Sequence, residues 1–294
     1  MTDLRQWLHD SLSINSYCWP AGKPFDSFIN CVASAGIRNV AIDAARVRTE
    51  GITPIKKMLN AADLSVSSFN SAGYFTDPDL PSHNRQLVEW ANELDAAALC
   101  VITGGLMGGA PPANLDLPFA PDGAINLDDI RQKGRALFDQ LAEDTKQAGV
   151  VLGLEPITPI DIVTKGHVNS IEQAKSWLHG AHTKLIIDLF HSFWDPALTQ
   201  TLTEPDDLVV FQFCDLVMGP DKRPARRAPV APDRKGQFLP VISCLGKLFA
   251  QQHEMQRVCP IEFEIFQQDL GGIDIEAEIM ALPSRLETLL AEKI

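Results

Sequence analysis

The chain is short of positive charge. Its 25 Lys and Arg face 38 Asp and Glu, giving a formal net charge of −13 over 294 residues. Proteins that grip a phosphate backbone carry a basic surface, so this balance argues against a nucleic-acid partner. Basic residues gather once, in DKRPARRAPVAPDRK (221–235). The six cysteines (Cys18, Cys31, Cys100, Cys214, Cys244, Cys259) show no C-x-x-C spacing, and most sit among apolar neighbours, as buried free thiols do. The opening MTDLRQWLHD lacks the apolar core of a signal peptide, and no stretch is long and apolar enough to span a bilayer. A reducing cytoplasm is the expected compartment. No low-complexity linker divides the chain.

What is present is an alternation. Short apolar, β-rich runs stand at 12–15, 39–43, 64–69, 98–103, 149–155, 184–188, 208–213 and 259–266. Amphipathic stretches separate them, at 25–36, 83–94, 127–149, 170–178, 239–252 and 272–292, with Pro283 expected to kink or break the last. Eight strand–helix units imply parallel strands joined by helical crossovers. In just under 300 residues they fit a closed (β/α)8 TIM barrel, one domain over 1–294, better than an open sheet. The first strand is followed by NSYCWPAGKP, which lacks the glycine-rich phosphate turn of a dinucleotide fold. Two long segments, 104–126 and the basic one after the seventh strand, follow strand C-termini. That is the face on which barrel enzymes build their sites, and long loops there are expected to act as lids or binding segments.

Strands of a parallel barrel should be continuous apolar runs, so polar residues that close them carry information. The last four all end in one: Glu155 in GLEP, Asp188 and His191 in IIDLFH, Gln212 and Asp215 in FQFCD, and Glu262 and Glu264 in EFEIF. A buried amide without a partner costs about 1–3 kcal/mol, so Gln212 within LVVFQF needs a reason. Asp215, where strand gives way to loop, reads as structural. Glu262 shares a face with Glu264, so one of the two stands deeper in the barrel or beyond its rim. Three carboxylates converging on one mouth repel one another, and a divalent cation relieves that repulsion. Glu155, Asp188, Gln212 and Glu264 offer only hard oxygen donors, which suit Mn²⁺ or Mg²⁺ better than Zn²⁺ or Co²⁺. The amide adds a neutral ligand to an already acidic set. The aromatics Trp19, Phe69 and Trp194 are candidates for pocket walls, and Asn15 and Asp43, ending the first two strands, for contacts with substrate.

The series GLEP, IIDLFHSF, QFCD, an arginine-bearing loop and EFEIF resembles the sugar phosphate isomerase/epimerase superfamily, the xylose isomerase-like or family-2 AP-endonuclease-like TIM barrels. The resemblance implies that Glu155, Asp188 and Glu264 are metal ligands, with Gln212 where many members carry histidine. It also implies that Glu155 and Glu264 are the acid/base pair, and that His191 and Arg227 bind substrate, with Arg226 the alternative to Arg227. The activity then expected is isomerisation or epimerisation of a small ketose or hydroxy-keto acid through a cis-enediolate. A lyase acting on a keto-polyol shares that intermediate, with His167 the candidate acid for the leaving group. A non-catalytic binding barrel is the third reading. The endonuclease branch is excluded by the acidic charge and by the missing histidines of a third metal site. No membrane partner is expected, and the sequence leaves a homo-oligomer open.

Overall fold

In the computed structural model the described residues are 3–77, 81–106, 126–220, 224–232, 238–255 and 258–293. Most of the Gly/Pro-rich segment 104–126 and parts of the basic segment 221–235, the expected lids or binding segments, lie outside the described residues.

Eight parallel strands close into a barrel: β1 (Leu12–Asn15), β2 (Asn39–Asp43), β3 (Ser65–Gly73), β4 (Leu99–Ile102), β5 (Leu152–Leu154), β6 (Thr183–Asp188), β7 (Leu208–Phe213) and, last in the chain, β10 (Ile261–Phe263). Neighbours around the ring follow chain order, and β1 pairs with β10 to close it. Helices pack outside, and the main core lies between them and the strands, built from side chains such as Phe28, Phe69, Phe138, Leu245 and Leu286. This is the (β/α)8 architecture expected from the alternation.

Helices Leu4–Ser11, Ala44–Glu50 and Ile52–Ala62 were not among the expected amphipathic segments. The last helix, Ile275–Ala291, continues through Pro283 and does not break there. Its apolar face of Ile279, Leu282, Leu286, Leu289 and Leu290 is buried on both sides of the proline, and that packing outweighs the lost backbone bond. A two-stranded antiparallel hairpin, β8 (Asp215–Met218) and β9 (Pro224–Ala228), stands apart from the barrel directly after β7.

Register sets up the interior. Ser13, Glu262, Gln212 and Asp188 are successive Cα partners across β1, β10, β7 and β6. Partners in a parallel ladder point to the same face, so these four form one polar rung inside the barrel. On its N-terminal side a small apolar cluster of Ala98, Cys100, Ile186, Val209 and Val210 lies along β4, β6 and β7. Gly153 in β5 lets that cluster close: a Cβ there would lie 2.6 Å from Ile186 side-chain atoms.

Candidate active site at the barrel mouth

Glu155 follows β5 directly, Asp188 ends β6, and His191 lies one turn later in the short helix Leu189–Ser192. Asp188 caps that helix, its Oδ1 accepting the Phe190 N–H at 2.9 Å, which fixes both the carboxylate and the first turn. Possible ligand atoms of Glu155, Asp188 and His191 all lie within 4.8 Å of one another, and all three residues are buried. The sequence placed oxygen donors alone in the close group, whereas the structure adds an imidazole. Glu264, two residues beyond Glu262, stands one layer nearer the mouth, buried but outside that close group.

The hairpin settles which arginine faces the site. Successive residues of a strand point to opposite faces. Arg227 turns inward, its Nη2 2.6 Å from Asp188 Oδ2 and its guanidinium over the rings of Phe190 (4.6 Å) and Phe266 (4.9 Å). Arg226 turns the other way and donates to the Asp269 carbonyl at 2.7 Å.

Gln212 donates through Nε2 to Glu262 Oε2 at 3.0 Å, and Glu262 Oε1 accepts from Ser67 Oγ at 2.7 Å. Glu262 is therefore the deeper glutamate, tied into the rung and away from the mouth. That bond gives the buried amide its reason, yet Gln212 Oε1 has no partner. Glu264 Oε2 and His191 Nδ1 are likewise buried without one.

Electrostatics separates the roles. Burial, then the charge of Asp188, push the Glu155 carboxyl up to about 7; the Cys100 thiol, donating to its Oε2 at 3.2 Å, and the charges of Arg227 and Lys165 act against the rise. Burial raises Glu264 well above the usual carboxylate range; Arg227 opposes that rise, and the charges of Asp188, Glu155 and Glu262 add to it. Burial would raise Asp188 too, but Arg227 and His191 hold it below its ordinary value. Burial pushes the His191 imidazole down to about 3, so the ring is neutral and offers a lone pair.

Several sequence candidates do not reach this centre. His167 is buried outside the barrel: its Nδ1 lies 2.8 Å from the Gly104 carbonyl, and a Cβ on Gly134 would fall 2.4 Å from its Nε2. Asp215 accepts from the N–H groups of Leu216, Phe238 and Leu239, the structural role its position suggested. Asp43 caps the helix Ala44–Glu50 and accepts from Ser16 Oγ at 2.8 Å. Asn15 Oδ1 accepts the Tyr17 N–H, leaving its Nδ2 without a partner. Trp19 and Phe69 are core side chains, in contact with Phe28 and Trp90 respectively. Trp194 does line a cavity of about 380 Å³, together with Ile160, Phe190 and Phe193.

Sequence reasoning passed over other residues that converge here. Cys100 touches Glu155. Tyr17, 5.1 Å from Phe266, and Tyr74 both feel the charge of Glu264. Lys165 lies over the Phe266 ring at 5.7 Å. Each comes from a loop or strand with no local polar signal, and only closure of the barrel brings them together.

The profile of the xylose isomerase-like TIM barrel family matches residues 29–266. The chain belongs to this family. Among solved structures, a protein from Sinorhizobium meliloti is similar over 96% of this chain and 98% of its own, with a TM-score of 0.79 at 22% identity. The IolI protein with a bound zinc atom matches over 97% and 99%, with a TM-score of 0.69 at 13% identity. D-psicose 3-epimerase from Clostridium cellulolyticum, solved with D-tagatose, matches over 95% and 99%, with a TM-score of 0.66 at 13% identity. At these identities the likeness speaks for the fold of this xylose isomerase-like barrel. A search of curated proteins finds no significant match. Among the described residues no helix is long and apolar enough to cross a membrane.

Proposed function

We propose that the protein is a divalent-metal-dependent isomerase or epimerase of a small ketose or hydroxy-keto acid, working by proton transfer at the carbon next to a carbonyl. One observation carries the reading. Glu155, Asp188 and His191 present ligand atoms within 4.8 Å of one another, beside a buried Glu264 whose Oε2 has no partner. A dication fits these residues. Asp188 is ionised, His191 is neutral, and the vacant atoms of Glu264 and Gln212 point to the same need. Glu155, Asp188, Glu264 and Gln212 would hold it, with His191 able to join them. The mixed donor set admits Mn²⁺, Mg²⁺, Co²⁺ or Zn²⁺. When bound, the ion supplies Lewis acidity toward two adjacent substrate oxygens.

The chain's own groups supply the rest. Glu264 and Glu155 form the acid/base pair: one takes the proton from the α-carbon, the other returns one on a neighbouring position or on the opposite face. In the metal-free site burial makes the Glu155 carboxyl a stronger base than an ordinary carboxylate, which supports Glu155 in that pair. Arg227 donates to oxygen as negative charge develops there, and Phe190 and Phe266 hold its guanidinium in position. The lyase reading loses its acid, because His167 is packed against the helix Leu127–Ala148. A cytoplasmic setting suits six unpaired cysteines.

The test is proton NMR in D₂O with dihydroxyacetone, D-fructose, hydroxypyruvate and inososes, with and without Mn²⁺. Deuterium entering the α-position with all hydroxyls retained supports the reading. Loss of water points to a lyase, and no exchange with any of these compounds, with or without Mn²⁺, removes the proposal.

A further inference from the structure

Lys165 belongs to the loop after β5 and is half-buried in the barrel mouth. Its ammonium lies over the Phe266 ring, the ring that also carries Arg227, and Tyr17 packs on the same ring. Its charge acts on Glu155 and His191, two fully buried members of the proposed site. Among the described residues the ammonium has no hydrogen-bond acceptor and no carboxylate partner. Lysine normally reaches for water when its stem is covered, so an ammonium kept against a ring inside a mouth is poised for a ligand.

The other cation of the mouth is already engaged: Arg227 Nη2 lies 2.6 Å from Asp188 Oδ2, whereas Lys165 has only the Phe266 ring. An anionic group on a substrate gives that ammonium the partner a neutral ketose lacks.

We infer that Lys165 is a substrate-binding residue that selects ketoses or keto acids bearing a carboxylate or phosphate group. The inference rests on the proposed function and narrows its substrate class. The ammonium donates to the anionic oxygens while Phe266 and Tyr17 wall that end of the mouth. A compact ammonium serves either anion as a point charge, so the two sources share one chemistry.

Matched probes separate them: dihydroxyacetone, hydroxypyruvate and dihydroxyacetone phosphate, then D-fructose, D-fructuronate and D-fructose 6-phosphate. Dissociation constants are measured by ligand-observed NMR for the Mg²⁺-loaded native chain and for Lys165→Gln and Lys165→Arg. Deuterium exchange is followed separately. In at least one series the native protein should bind an anionic member about tenfold to hundredfold more tightly than its neutral twin. Whether the carboxylate or the phosphate member gains identifies the group. Lys165→Gln should abolish that preference without weakening the neutral twin, and Lys165→Arg should keep most of it. Equal binding of charged and neutral twins by the native protein overturns the inference and leaves the proposed function standing if exchange occurs. A preference that survives in Lys165→Gln also overturns it. Binding and exchange with none of the six overturn both readings.

Discussion

Replacing Arg227 by methionine puts the electrostatics of the site to a thermodynamic test. Asp188 is fully buried, and among the described residues its only close partner of fixed charge is Arg227 at 2.6 Å, itself 3% exposed. Methionine keeps apolar volume between Phe190 and Phe266, so the loss is chiefly one of charge. Removing one member of a buried pair typically costs about 3–5 kcal/mol. The same size follows from another route: if Asp188 takes a proton instead, doing so at pH 7 from an ordinary value near 3.9 costs about 4 kcal/mol. Urea unfolding in the presence of chelator should therefore show a loss of about 3–5 kcal/mol with an unchanged denaturant slope. Adding Asp188→Asn to the variant should return part of that loss, since the lone charge is then gone. A divalent cation at a hundred times its dissociation constant should return about 2.7 kcal/mol by mass action. A loss under about 1 kcal/mol in chelator, or an Asp188→Asn change that makes matters worse, refutes the reasoning.

Other consequences can be measured on the same protein. The Glu155 carboxyl is raised to about 7 from 4.5, so its proton is held more tightly folded than unfolded. Its contribution to stability in chelator is full below pH 4.5 and is lost as pH rises through about 7, about 3 kcal/mol over that window. Glu155→Gln should remove this part of the pH dependence in urea titrations, and an unchanged slope would discard the assignment. Cys100→Ala deletes the S–H donor on Glu155, so the corresponding limb of the pH–exchange profile should move upward. A limb that stays or falls counts against that contact. Gln212→Leu should weaken metal binding in calorimetric titration and cost about 1–3 kcal/mol by leaving Glu262 short of a donor. Gln212→His should retain the metal, and equal affinity in all three chains would make Gln212 purely structural.

Much of the architecture is legible in the sequence because parallel strands are continuous apolar runs. β1, β2 and β7 stand where those runs stand. The same rule made Glu155, Asp188, Gln212 and Glu264 visible, since each interrupts or closes such a run. β3 extends to Gly73 through polar NSAG, past the point where hydrophobicity marks it, because neighbours on both sides supply its bonds. The β8–β9 hairpin was hidden by a basic, proline-bearing segment that reads as loop. Without its alternation Arg226 and Arg227 are equivalent on paper. Gln212's partner was equally out of reach, because it depends on the register of β7 against β10. Lys165, Cys100 and the two tyrosines gave no signal at all, being local bystanders until the ring closes.

The central claim is that carboxylates at this mouth move a carbon-bound proton with the help of a divalent ion. The most direct measurement is the rate of solvent deuterium entry at the α-carbon of the best probe, comparing native protein with Glu264→Gln, each loaded with Mn²⁺. The account predicts exchange by the native chain, loss in the native chain on chelation, and a fall of about a hundredfold or more in Glu264→Gln at saturating Mn²⁺, while its thermal unfolding stays close to native. Full exchange by Glu264→Gln, or native exchange that is indifferent to chelator, would contradict it.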